Sequence, residues 1–171
     1  MEGINIYLIG MSGSGKSTVS PRLAEHLGYR FVDTDTAIEQ LVGQSVAEIF
    51  QTSGEPEFRQ LETKVLAEIS ANTRLVVATG GGMAMKLDNW SHLHQGLVVW
   101  LNVSVDVLVE RLTGGNISPI LNTPGDLRTK LQQILAERRD RYAEADIHIP
   151  ITSNLPPTEI VEQIIDRLNS I

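Results

Sequence analysis

The residues best suited to chemistry begin near the N-terminus, where Gly10 to Thr18 reads GMSGSGKST. The pattern Gly-x-x-x-x-Gly-Lys-Ser is a phosphate cradle, and each part has a reason. Its glycines let the backbone wrap so tightly that successive N–H groups point at phosphate oxygens. Lys16 adds a point charge, the Ser17 hydroxyl suits a Mg²⁺ ion travelling with the phosphates, and the following helix adds its positive end. We assign Gly13, Ser14, Gly15, Lys16, Ser17 and Thr18 to nucleotide phosphates. The rival is a dinucleotide turn, but from Gly13 the chain reads GSGKST, and the third glycine of that fingerprint is missing.

The next candidates are two carboxylates in FVDTDTAIE, Asp33 and Asp35. On an extended segment, side chains at i and i+2 point the same way, so both would face the cradle. One acid would hold water around Mg²⁺, and the other would accept a proton from an attacking hydroxyl. The alternative is a helix N-cap, because Asp and Thr before AIEQ are standard cap residues.

Further on, GEPEFRQLE places Arg59 early in a helix, where pairing with Glu55 or Glu62 is the plainer reading. ATGGGMA holds three consecutive glycines, 80 to 82, which suggests close approach by a ligand or an anion nest rather than a plain turn. Arg138 follows Leu131 by seven residues and Ile134 by four, so it shares their inward face and needs an anionic partner. With Arg59 it would clamp a carboxylate. Residues 113–125 form a loop by composition, long enough to serve as a lid or as an ordinary surface connection.

These residues need a frame. Strand-like runs at 5–9, 29–33, 75–79, 97–102 and 147–152 alternate with helical stretches at 16–27, 47–52, 57–70, 126–143 and 157–168. Short apolar strands between amphipathic helices predict an α/β fold, a five-stranded, mainly parallel sheet with helices on both faces. Such sheets bind ligands at the carboxyl ends of their strands, where nearly all the motifs above fall. At 171 residues with no linker-like tract, the chain is expected to form a single domain over 1–171.

A net charge of −7 argues against nucleic acid as a partner. The absence of cysteine excludes disulfides and thiolate metal sites. No apolar run reaches membrane length and no secretory signal precedes the first strand, so a cytoplasmic protein is expected, or a plastid stromal one if a transit peptide has been removed.

Taken together, GMSGSGKST, FVDTDTAIE, GEPEFRQLE, TGGG and ERRDRY resemble the shikimate kinase family in order and spacing over almost the whole chain. The resemblance implies a three-layer P-loop NTPase sandwich with a mobile lid at about 113–125 and a substrate-binding region at about 33–62. It implies a monomeric enzyme that moves the γ-phosphoryl group of MgATP to the 3-hydroxyl of shikimate. Asp35 then matches the base that contacts substrate hydroxyls, and Asp33 acts on Mg²⁺ through water alongside Ser17. Arg59 and Arg138 match the clamp on the shikimate carboxylate, Gly81 and Gly82 its backbone contacts, Arg111 the arginine stacked on adenine, and Pro157 a residue packed near the base.

One position departs from the family. Where the lid usually carries an RPLL-like motif, this chain has SPIL, with Ser118 in the arginine's place. Three readings follow: Arg111, Arg128 or Lys130 substitutes, the enzyme is slow, or the chain binds without turnover. A related kinase of another small acid such as gluconate is the remaining alternative.

Overall fold

The structure is a computed structural model, and it describes residues 3–113 and 125–171. Five strands, β1 (Ile6–Ile9), β2 (Arg30–Asp33), β3 (Leu75–Ala78), β4 (Leu97–Val103) and β5 (Ile147–Ile151), form one sheet in the order β2-β3-β1-β4-β5. All four pairings are parallel, with Tyr7 opposite both Val77 and Val98. Every residue of β1 and β3 is buried. Because neighbours along a strand face opposite ways, this requires cover on both sides of the sheet. The edges differ: β5 alternates buried and exposed, and β2 has no fully buried residue.

The helices are α1 (Lys16–Leu27), α2 (Thr34–Val42), α3 (Val46–Ser70), α4 (Leu87–Leu93), α5 (Val105–Leu112), α6 (Leu127–Tyr142) and α7 (Pro157–Asn169), with a 3₁₀ turn at Met83–Met85. The two helical stretches expected at 47–52 and 57–70 are halves of α3. Gly54, at φ 81° and ψ 170°, breaks the helical path between them, two residues before Pro56. A capping box starts α3: Ser45 accepts from the Glu48 amide while Glu48 accepts from the Ser45 amide.

Sequence periodicity alone does not predict α4, α5 or the body of α2. The α5 stretch VDVLVERL follows β4 with the same valine-rich alternation, which reads as continued strand. The real signal is Ser104, whose hydroxyl caps the helix by accepting from the Val107 amide.

The sheet places its functional ends on one side. β1 runs into the cradle and α1, β2 into α2, and β3 into the glycine triplet. β1 is central, flanked by β3 and β4, which puts the cradle at the point where chain connections diverge to the two halves of the sheet. No helix among the described residues is long and apolar enough to cross a membrane. Ser118 and most of the expected lid lie outside the described residues.

Candidate active site

A cleft of about 510 Å³ opens over the carboxyl ends of the strands. It is lined by the cradle, by Asp33 and Asp35, by Gly80 and Gly81, and by Arg111 and Pro157. Gly13, Gly15, Lys16, Ser17 and Thr18 all line it. Ser14 does not: it is fully buried, and its amide is donated to the Met11 carbonyl within the turn. Gly15 turns the chain into α1 at φ 97°, a conformation that only glycine adopts without strain.

Lys16 lies folded against its own loop. Its Nζ donates to the carbonyls of Gly10 at 2.6 Å and Met11 at 2.9 Å, and to Ser14 Oγ at 3.2 Å. Burial pushes its ammonium down to about 8, against the opposing pull of the Asp35 carboxylate. The lysine is therefore at hand for phosphate, held by neutral acceptors that an anion would replace.

The acid pair is arranged differently from the expectation of an extended segment. Asp33 ends β2 and caps α2, its Oδ1 accepting from the amides of Asp35 at 3.0 Å and Thr36 at 3.2 Å. Asp35 sits in the first helical turn. The two acids reach one cleft because the chain turns between them, not because of strand alternation. Asp33 caps the helix and also faces the cradle: its second oxygen, Oδ2, accepts from Ser17 Oγ at 2.7 Å. Burial, then the neighbouring Asp33 charge, pushes the Asp35 carboxyl upward, and Asp35 Oδ1 is buried without a hydrogen-bond partner.

Arg59 meets both acids expected of it, Glu62 Oε1 at 2.6 Å and Glu55 Oε1 at 3.0 Å. The two differ in kind: Glu55 is exposed, whereas Glu62 is 1 % exposed and its Oε2 has no partner. Burial raises the Glu62 carboxyl while Arg59 opposes the rise. Arg138 Nη1 donates to the Gly81 carbonyl at 2.8 Å, while its neighbour Arg139 is exposed.

The glycine triplet is where these groups converge. A Cβ placed on Gly80 would stand 2.6 Å from Glu62 Oε2 and 2.9 Å from Asp35 Oδ1. One placed on Gly82 would stand 2.6 Å from both terminal nitrogens of Arg59. The close approach anticipated from the sequence is thus made, in this structure, by the protein's own charged side chains. Arg59, Gly82 and Arg138 gather just beyond the lining of the main cleft.

At the other end, Arg111 donates from Nε to Asn154 Oδ1 at 3.1 Å and from Nη1 to the Gly13 carbonyl at 3.2 Å. Leu112, Leu155, Pro157 and Ile160 complete an apolar wall there. A planar guanidinium beside such a wall suits the face of an aromatic base. Of the cations considered as substitutes at the lid, Arg111 lines the cleft and Arg128 is ion-paired with Asp106.

Sequence reasoning did not single out Asn154, Thr34 or Tyr142. Thr34 Oγ1 accepts from the Gly80 amide at 2.9 Å, and Tyr142 donates to the Gly81 carbonyl. Tyr142 had a findable signal, its i+4 spacing from Arg138 on one helix face. Asn154 had none, because its contact with Arg111 spans more than forty residues of sequence.

The arrangement joins a phosphate cradle, a half-buried acid pair and two arginines at a glycine turn. Comparison with known proteins bears on what it serves. A family model described as shikimate kinase matches residues 12–169. A shikimate kinase of Rippkaea orientalis is 47 % identical over 171 residues, covering 100 % of this chain and 91 % of that protein. One of Synechococcus elongatus is 46 % identical, covering 100 % and 90 %. Among solved structures, shikimate kinase from Acinetobacter baumannii in complex with shikimate superposes with a TM-score of 0.92 at 36 % identity, covering 98 % of this chain and 93 % of that one. With matches of this extent, and with the cradle and acid pair in one cleft, the chain belongs to the shikimate kinase family.

Proposed function

We propose that this chain, as a single-domain monomer in the cytoplasm, transfers the γ-phosphoryl group of MgATP to the 3-hydroxyl of shikimate. The observation that carries the reading is Asp35: a half-buried carboxylate whose enclosed Oδ1 has no partner, next to a phosphate cradle and near a pair of arginines. Gly13, Gly15, Lys16, Ser17 and Thr18 hold the phosphates, with Ser14 shaping the turn beneath them. Arg111 and Pro157 flank the base. Arg59 and Arg138 hold the substrate carboxylate together with the backbone of Gly81 and Gly82, so residues 33–62 carry much of the acceptor site.

The donor set fits Mg²⁺. Ser17 Oγ and Asp33 Oδ2 are hard oxygens side by side, and no group of three acidic or imidazole ligands stands near them among the described residues. That suits an ion held mainly by phosphates and water. When bound, Mg²⁺ neutralises charge on the β- and γ-phosphates. Asp35 orients the 3-hydroxyl and takes its proton as the oxygen bonds to the γ-phosphorus. The bond from that phosphorus to the β–γ bridging oxygen breaks, and ADP leaves with the electron pair. A base whose acidity is shifted toward the working pH performs this step better than an ordinary aspartate.

The test is ADP release from MgATP, with shikimate present, absent or replaced by gluconate. Shikimate-dependent release is the expected result. Release that follows gluconate instead, or nucleotide binding without release, would overturn the reading. Ser118→Arg, which restores the family's lid residue, is expected to turn over faster than the parent. An unchanged rate would mean that another cation already serves the phosphoryl group.

A second expectation concerns pH. Lys16 is cationic below its value of about 8 and neutral above it, so anion binding weakens as pH rises. ADP affinity, measured by calorimetry without divalent cations, should fall about tenfold per pH unit above 8, until the higher value that bound phosphate imposes on the lysine is reached. A flat profile between pH 7 and 9 would show that Lys16 keeps its charge throughout.

A further inference from the structure

The glycine triplet has one carbonyl with two donors. Gly81 O accepts from Arg138 Nη1 at 2.8 Å and from the Tyr142 hydroxyl, and Arg138 Nη1 also stands 3.4 Å from that hydroxyl. Tyr142 is wholly buried. Its ring packs on Trp100 with centroids 5.7 Å apart and planes 30° from parallel, so β4 and α6 together fix where the hydroxyl lies. Burial raises the phenol, which keeps it protonated and donating.

The peptide geometry turns this anchor into an aim. No peptide bond in the described chain is cis, so the Gly81 carbonyl and the Gly82 N–H point in opposite directions across one planar unit. With the carbonyl drawn toward α6, the Gly82 N–H is turned away from it. That N–H and the Gly81 N–H have no acceptor among the described residues, whereas the Gly80 N–H is already taken by Thr34. Gly82 also lies directly against the Arg59 guanidinium. Two unpaired amides beside two arginines make a small anion nest whose orientation depends on the Gly81 carbonyl.

We propose that Tyr142 is a positioning residue for the acceptor site: its hydroxyl, with Arg138, pins the Gly81 carbonyl and so aims the Gly82 amide at the carboxylate of the bound acid. The inference rests on the reading of that site given above. It also assigns Arg138 two tasks, one nitrogen holding the carbonyl and the rest of the guanidinium meeting the anion. Tyr142 touches no substrate; it acts through the peptide it holds.

Tyr142→Phe removes the hydroxyl and keeps the ring against Trp100. The KM for shikimate should rise about tenfold, the scale of one lost buried hydrogen bond, while the KM for ATP stays within twofold. Affinity for the neutral amide of shikimate should fall less, because its carbonyl is a weaker acceptor for the aimed N–H than a carboxylate oxygen is. Trp100→Phe keeps the hydroxyl but loosens the ring contact that helps to place it, so it should lower the thermal midpoint and raise the shikimate KM by less than Tyr142→Phe does. Equal changes in both KM values, an unchanged shikimate KM, equal losses for acid and amide, or failure of Tyr142→Phe to fold would each make the hydroxyl a structural prop and overturn the proposal. A parent enzyme without shikimate-dependent ADP release would instead overturn the function on which it rests.

Discussion

Asp35→Asn is expected to lower shikimate-dependent ADP release by about 10³-fold, within the range of a lost general base, with the fold intact. The amide keeps the size of the side chain and a carbonyl oxygen, but it does not take a proton at neutral pH. Stability should hold or rise. Asp35 is a carboxylate whose charge is disfavoured by burial and by Asp33, so a neutral replacement removes an unfavourable charge. Steady-state kinetics and a thermal melt, run on the same preparation, check both halves. Turnover within tenfold of the parent would remove Asp35 as the base, and a collapsed melt would make its role structural.

Gly80→Ala should cost about 10² in kcat/KM through a different cause, the displacement of reacting groups by a distance near 1 Å. The added methyl would fall 2.6 Å from Glu62 Oε2 and 2.9 Å from Asp35 Oδ1, closer than carbon and oxygen tolerate. The backbone has little room to yield, since the Gly80 amide is held by Thr34 and its carbonyl by the Met83 amide at 3.1 Å. The carboxylates must move instead. Asp35 then loses its aim and Glu62 its hold on Arg59, so kcat and the shikimate KM should both suffer while ADP binding at the cradle is spared. A variant with parental kinetics would mean that the two acids can spread apart freely.

How far the sequence led depends on which interaction set each position. The cradle is local: Gly10, Gly15 and Lys16 sit within seven residues, so spacing alone reveals their chemistry. α1 and α7 match the stretches expected at 16–27 and 157–168 because their bounds are local: Gly28 closes the one in a left-handed turn and Pro157 opens the other. Strand alternation predicts that Asp33 and Asp35 share one side, but the structure joins them across a cap, a turn that the Asp-Thr before AIEQ also signals.

Contacts distant in sequence left no trace. Nothing near Gly80 in the chain says that Glu62 and Asp35 will flank it, because that packing comes from α2 and α3 folding over the end of β3. The buried state of Glu62 is likewise a tertiary fact; in the sequence it is one of two acids at helical spacing from Arg59. Edge position was equally hidden, since β2 carries Phe31 and Val32 like an interior strand yet forms the sheet margin.

The two-acid grip on Arg59 has a consequence for selectivity. If the guanidinium receives a substrate carboxylate, it does so by partner exchange, and the exposed Glu55 is the partner that can leave, since Glu62 is enclosed. An incoming acid restores what the arginine gives up. An uncharged analogue of the same shape must dislodge Glu55 and restores nothing. The site thus holds a built-in competitor that every ligand must displace and only an anion repays, so Glu55→Gln should improve affinity for acid and neutral ligand alike while keeping the preference for the acid.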